Sequence, residues 1–162
     1  MPSENQPERT AAILDEVDRK ILRVLQRDAS ISMERLAKKI GVSKTAAWNR
    51  VQRMQKEKVI LRHAVLLDPQ QVGLAETFFI AIRTNQHNAD WLKRFSHIVN
   101  DTPEILEAHR LAGETDYLLK VQAPSTREFD KFYQRLVANI DLYNVTSSLS
   151  MEVLKHETAL PV

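Results

Sequence analysis

The sequence predicts an α+β protein of two small domains, three helices followed by a βαββαβ sandwich, and three observations predict it. Its 162 residues are enough for one compact domain or two small ones at roughly 150 residues per domain. Near residue 75 the apolar pattern changes from a helical repeat to a strict alternation. Charge changes sign at nearly the same place. Residues 1–62 carry 14 Lys and Arg against 8 Asp and Glu, and residues 63–162 carry 9 against 13, so the formal +2 conceals halves of +6 and −4.

The first helix is marked by Val17, Ile21, Leu22 and Leu25, with Asp15 as its cap and Asp18 adding negative charge near the positive end of the dipole. The second carries Met33, Leu36, Ala37 and Ile40, starts at the hydroxyl of Ser32 and stops at Gly41, which can take the left-handed conformation. The third begins at Ser43, buries Ala47, Val51 and Met54, and continues to about Lys58. Two helices joined by Ile40-Gly41-Val42-Ser43 make a helix-turn-helix. Residues 61–74, with Asp68-Pro69 and Gly73, predict a connection containing a short strand.

In the acidic half, 76–84 and 116–122 place Phe78, Ile80, Ile82 and Tyr117, Leu119, Val121 at every second position, as strands with one buried face do. Trp91, Leu92, Phe95, Ile98 and Val99 mark one helix, and Phe129, Phe132, Leu136 and Ile140 another. Strands at 104–111 and 145–154 complete a βαββαβ order, which is ferredoxin-like. The expected boundaries are a flexible tail 1–13, a helical domain 14–62, a linker 63–74 and a sandwich 75–162.

Composition excludes several classes of function. No cysteine is present, which removes disulfides, thiolate zinc sites and cysteine nucleophiles. No run of 18 apolar residues and no basic-then-apolar leader is found, so a soluble cytoplasmic protein without membrane contact is expected. His63, His87, His97, His109 and His156 lack close metal-ligand spacing, three glycines cannot form a phosphate-cradling loop, and no nucleophile elbow occurs. The expectation is a protein that is not an enzyme and holds no metal or resident cofactor.

Four separated pieces resemble the Lrp/AsnC family of feast/famine regulators in family order. They are residues 14–22 (Leu14-Asp15-Glu16 through Ile21-Leu22), residues 36–43 (Leu36-Ala37-Lys38-Lys39-Ile40-Gly41-Val42-Ser43), Leu67-Asp68-Pro69 through Gly73-Leu74, and Ala112-Gly113-Glu114-Thr115-Asp116-Tyr117. The end of the chain, with Thr146-Ser147-Ser148, Met151-Glu152 and Leu160-Pro161, is similar to the branch containing cysteine-responsive detoxification activators. The resemblance implies a winged-type helix-turn-helix domain and a RAM-type sandwich that assembles dimers, often octamers, and senses amino acids. After Ser43 many members have a Pro-Thr-Pro run where this chain reads Lys44-Thr45-Ala46-Ala47, so the entry to the third helix differs.

With Ala47, Val51 and Met54 inward, Thr45, Asn49, Gln52 and Lys56 fall on the opposite face of the third helix and Trp48, Arg50 and Arg53 on its flanks. Asn and Gln can read an adenine edge and Thr a thymine methyl, while Lys and Arg meet phosphates of double-stranded DNA. Early positions of such a helix reach the bases, which assigns Lys44, Thr45, Trp48 and Asn49 to base contacts. Arg50, Arg53, Lys38 and Lys39 are assigned to backbone contacts or to intramolecular support. Trp48 has two open readings, packing against the core or touching DNA.

Gly113 lies between two predicted strands with Asp116 three residues on, and alternation puts Thr146, Ser148 and Ser150 on one face of the last strand. Backbone N–H groups at a glycine turn suit the carboxylate of a free amino acid, and Asp116 its ammonium. The family resemblance implies an effector site at Leu111, Ala112, Gly113, Glu114 and Asp116, with Thr146 and Ser148, between adjoining dimers. The plain alternative is a hairpin glycine beside a solvated carboxylate. Function then reads as a sequence-specific transcription regulator of amino-acid metabolism or transport, set against an effector-independent, nucleoid-associated architectural protein.

Overall fold

The computed structural model describes residues 11–86 and 88–162; most of the expected tail, and His87, lie outside it. Within the described residues the chain divides into two compact units, one built from residues 11–66 together with 155–162 and the other from 67–154.

In the first unit α1 spans Glu16–Leu25, α2 Met33–Ile40 and α3 Lys44–Lys56. Each start is fixed by the residue expected to cap it. The Asp15 carboxylate accepts the Asp18 N–H at 2.8 Å while the Asp15 N–H donates to Asp18 Oδ2 at 3.2 Å, a reciprocal capping box. Ser32 Oγ accepts from the Arg35 N–H and Ser43 Oγ from the Ala46 N–H. Gly41 ends α2 at φ 78°, where a Cβ would be strained, and turns the chain into the Ser43 cap. Ile21, Leu22, Leu25, Leu36, Val51 and Met54 form the small buried core.

The second unit contains β1 (Glu76–Arg83), α4 (Ala89–Asp101), β2 (Ile105–Arg110), β3 (Tyr117–Ala123), α5 (Thr126–Asn139) and β4 (Asn144–Leu149). All pairings are antiparallel in the order β2-β3-β1-β4, the ferredoxin-like arrangement. Alternation decides which face is buried. Phe78, Ile80 and Ile82 of β1 and Tyr117, Leu119 and Val121 of β3 pack against Trp91 and Phe95 of α4 and Phe132 and Leu136 of α5.

The structure corrects four expectations. No strand forms within residues 61–74. A strand needs a ladder partner, and none of the described strands pairs with this stretch; instead its second half curls into turns, Leu74 N–H donating to Pro69 O at 2.8 Å and Gly73 taking φ 77°. No strand follows α3 in the first unit, so its helix-turn-helix has no β wing among the described residues. The last strand stops at Leu149 rather than near residue 154. Finally, residues 155–162 join the helical unit rather than the sandwich.

Candidate functional site

The outward face of α3 is built as its periodicity requires. Ala47, Val51 and Met54 are buried, and Lys44, Thr45, Trp48, Asn49, Gln52 and Lys56 are exposed. Trp48 is 52% exposed, which excludes core packing as its role and leaves a large flat ring one helical turn from Thr45 on one side and Gln52 on the other. Lys38 and Lys39 stand exposed in the last turn of α2, next to the Gly41 turn that introduces α3. Cations there also suit the negative end of the helix dipole. Exposed Lys side chains and amide, hydroxyl and indole groups are therefore concentrated on the outer side of α3 and the last turn of α2.

Arg50 and Arg53 are placed differently. Arg50 Nη1 lies 2.6 Å from Asp15 Oδ2 and 2.9 Å from Asp18 Oδ1, and Arg53 Nη2 lies 2.5 Å from Asp18 Oδ2. Both guanidinium groups are engaged with the start of α1, the arrangement that intramolecular support requires. Asp18 is the residue that sequence reasoning missed in this role. Its side chain is 1% exposed, and it accepts from two arginines while closing the α1 capping box. Burial pushes its carboxyl up, but the hydrogen bonds from Arg50 and Arg53 outweigh that and hold it below its ordinary value. The Asp15 carboxyl is also lowered, first by the Asp18 N–H and then by Arg50. The signal was present in the sequence, because Asp18 precedes Ile21, Leu22 and Leu25 by three, four and seven residues and so sits on their inward stripe.

The turn between β2 and β3 carries exposed Leu111, Ala112, Gly113 and Glu114, with Gly113 at φ 147°. Asp116 is half-buried and partly committed. Its Oδ2 accepts the Thr84 N–H at 2.8 Å, its N–H donates to Ile82 O, and its carbonyl accepts the Leu111 N–H, so it ties the end of β1 to the hairpin. One carboxylate oxygen remains for another donor. Thr146 and Ser148 are exposed on β4, in register with Ala81 and Phe79. They lie on the sheet face opposite α4 and α5. Because β4 is the far edge of the sheet from β2, Thr146 stands two strands from β3 and three from β2, about 10 and 14 Å at the usual strand spacing. One copy of the chain does not bring Thr146 and Ser148 to the Gly113 turn.

Comparison with known proteins agrees with this division. Residues 14–55 match the AsnC-type helix-turn-helix domain and residues 77–160 the Lrp/AsnC ligand binding domain. The chain is 46% identical over 149 residues to the glutamate uptake regulatory protein of Zymomonas mobilis, covering 92% of this chain and 91% of that one. It is 40% identical over 151 residues to the DNA-binding transcriptional activator DecR of Escherichia coli K12, covering 93% and 99%. The crystal structure of the transcriptional regulator NMB0573 from Neisseria meningitidis in complex with L-Met superposes with a TM-score of 0.88 at 29% identity, covering 92% of this chain and 97% of that one. With both of its domains matched and relatives similar along nearly their whole length, the chain belongs to the Lrp/AsnC family of transcription regulators.

Proposed function

We propose that this protein is a cytoplasmic transcription regulator whose α3 reads the major groove of double-stranded DNA and whose sheet unit responds to a free amino acid. The observation that carries the DNA assignment is the sorting of α3: its apolar residues are buried, its two flanking arginines are paired with α1, and Lys44, Thr45, Trp48 and Asn49 remain free on the outer surface. Lys44, Thr45, Trp48 and Asn49 contact base edges, and Lys38 and Lys39 the backbone. A single helix covers too few base pairs for specificity, so the active species contains at least two copies, reading half-sites about 34–36 Å apart.

The effector binds at Leu111, Ala112, Gly113, Glu114 and Asp116, the free oxygen of Asp116 meeting an ammonium and backbone N–H groups of the exposed turn meeting a carboxylate. Thr146 and Ser148 contribute from another copy, since they stand too far away within one chain. Support for an amino acid comes from the L-Met complex of the Neisseria relative. Substituting Asn49→Ala changes sequence preference by about 1–3 kcal/mol at one base pair; an unchanged ranking of operator variants in a binding assay excludes Asn49 from base reading. Titration calorimetry with the common amino acids, comparing the parent with Asp116→Asn, tests the effector site. Asn keeps the acceptor for Thr84 and removes the charge, so undiminished binding moves the ammonium site elsewhere.

A further inference from the structure

The helical unit holds a segment of the chain that neither of its expected roles uses. Residues 155–162 lie against α1 through a specific set of bonds. Leu160 N–H donates to Gln26 Oε1 at 2.6 Å and Gln26 Nε2 donates back to Leu160 O at 3.1 Å. The side-chain amide thus satisfies both backbone groups of one residue, as an opposing residue does in an antiparallel ladder. Arg23 Nε donates to Val162 O at 2.7 Å, and the Val162 side chain packs against the buried cluster of Ile21, Leu22 and Leu25.

The segment is also shaped for this position. Val162 N–H donates to Leu160 O at 2.9 Å, a three-residue turn centred on Pro161, whose ring already fixes φ near the value that turn needs. Glu157 Oε1 accepts the Ala159 N–H at 2.9 Å and holds the preceding residues. Beside it runs an apolar groove of about 640 Å³, lined by Leu22, Leu25, Ile60, Leu61, Leu160 and Val162.

We propose that α1 carries a peptide-binding site, with Gln26 and Arg23 as its polar contacts and the wall of Leu22 and Leu25 as its floor, and that its occupant is this chain's own segment 155–162 acting as a strap. The chain crosses between its two units twice, near residue 66 and near residue 154. The strap anchors the chain just beyond the second crossing. Docking stands apart from the regulator reading, because it is measured without DNA or amino acid.

The test is hydrogen exchange of the α1 amides, followed by mass spectrometry in the full chain, in Gln26→Ala and in a chain stopped after Leu154. Losing two mutual hydrogen bonds raises the exchange of α1 about tenfold in Gln26→Ala, and the shortened chain matches or exceeds it. A synthetic peptide with the sequence of residues 155–162, added at millimolar concentration, restores protection to the shortened chain but not to a shortened chain carrying Gln26→Ala. Unchanged exchange in Gln26→Ala, or equal restoration by a scrambled peptide of the same composition, overturns the proposal. Should the shortened chain fail to fold, Pro161→Gly serves in its place, with faster exchange expected and parent-like exchange counting against the strap.

Discussion

The two units solve the same problem, holding helices in place, with opposite chemistry. In the sandwich α4 and α5 are fixed to the sheet by large apolar side chains: Phe78 stacks on Phe129, and Trp91 and Phe95 pack against Tyr117. In the helical unit six aliphatic or Met side chains form the core, none aromatic, and α3 is fixed to α1 by Asp18 with Arg50 and Arg53. A small domain buries too little apolar surface to spare, and a helix whose outer face must stay polar has few positions left for anchoring. An ion pair at its flank does that work while keeping the outer face clear. The same device ties the hold of α1 on α3 to pH, where the aromatic contacts of the sandwich core carry no charge.

The largest effect expected from this contrast is in the sandwich. Phe132 is 2% exposed in the centre of its core, and Phe132→Ala costs about 3–5 kcal/mol. Urea unfolding followed by the fluorescence of buried Trp91 shows the midpoint shift, and it is the same at pH 7 and pH 4. A shift that depended on pH would mean that charge contributes to this core as well.

Next comes the ion pair. Asp18→Ala removes two charge-assisted hydrogen bonds and one half of a capping box, a loss of about 2–3 kcal/mol after allowing for the partial exposure of Arg53. Its pH dependence follows from the lowered carboxyl. A folded-state value below the unfolded one stabilises at pH above the ordinary carboxylate range, and that stabilisation disappears as pH falls through the folded value. Helix melting by circular dichroism therefore drops between neutral pH and pH 3 in the parent, and drops less in Asp18→Asn. Equal acid sensitivity in the two proteins would assign the effect to other carboxylates.

The architecture was legible in the sequence where a local rule governs it. Asp15, Ser32 and Ser43 cap helices because a side-chain oxygen ahead of an apolar stripe has few alternatives, and the alternation of Phe78, Ile80 and Ile82 names its own buried face. The expected strand in 61–74 failed because strand formation depends on a partner, which local pattern cannot supply. Arg50 and Arg53 were left with two readings, since an arginine on a helix flank looks the same whether it faces phosphate or carboxylate. In the folded chain both meet the carboxylate of Asp18, 32 and 35 residues away. The distance between Thr146 and the Gly113 turn was hidden for a similar reason: strand order, not strand pattern, sets it. Residues 155–162 join α1 across more than 130 residues of sequence, beyond any periodicity argument.

The smallest expected effect separates two kinds of cation on one helix. Lys44 is exposed at the start of α3 and has no carboxylate partner among the described residues, so on DNA it displaces a counterion. Arg53 already has Asp18. Lys44→Ala is expected to weaken binding evenly across sequences, to lower the slope of log affinity against log salt by about 1, and to leave the melting temperature alone. Arg53→Ala is expected to do the reverse, lowering the melting temperature while keeping the salt slope. Measuring both quantities for both variants decides whether charge on α3 is divided between holding the helix and holding DNA. An Arg53→Ala protein of parental stability with a reduced slope would return that arginine to the phosphate backbone.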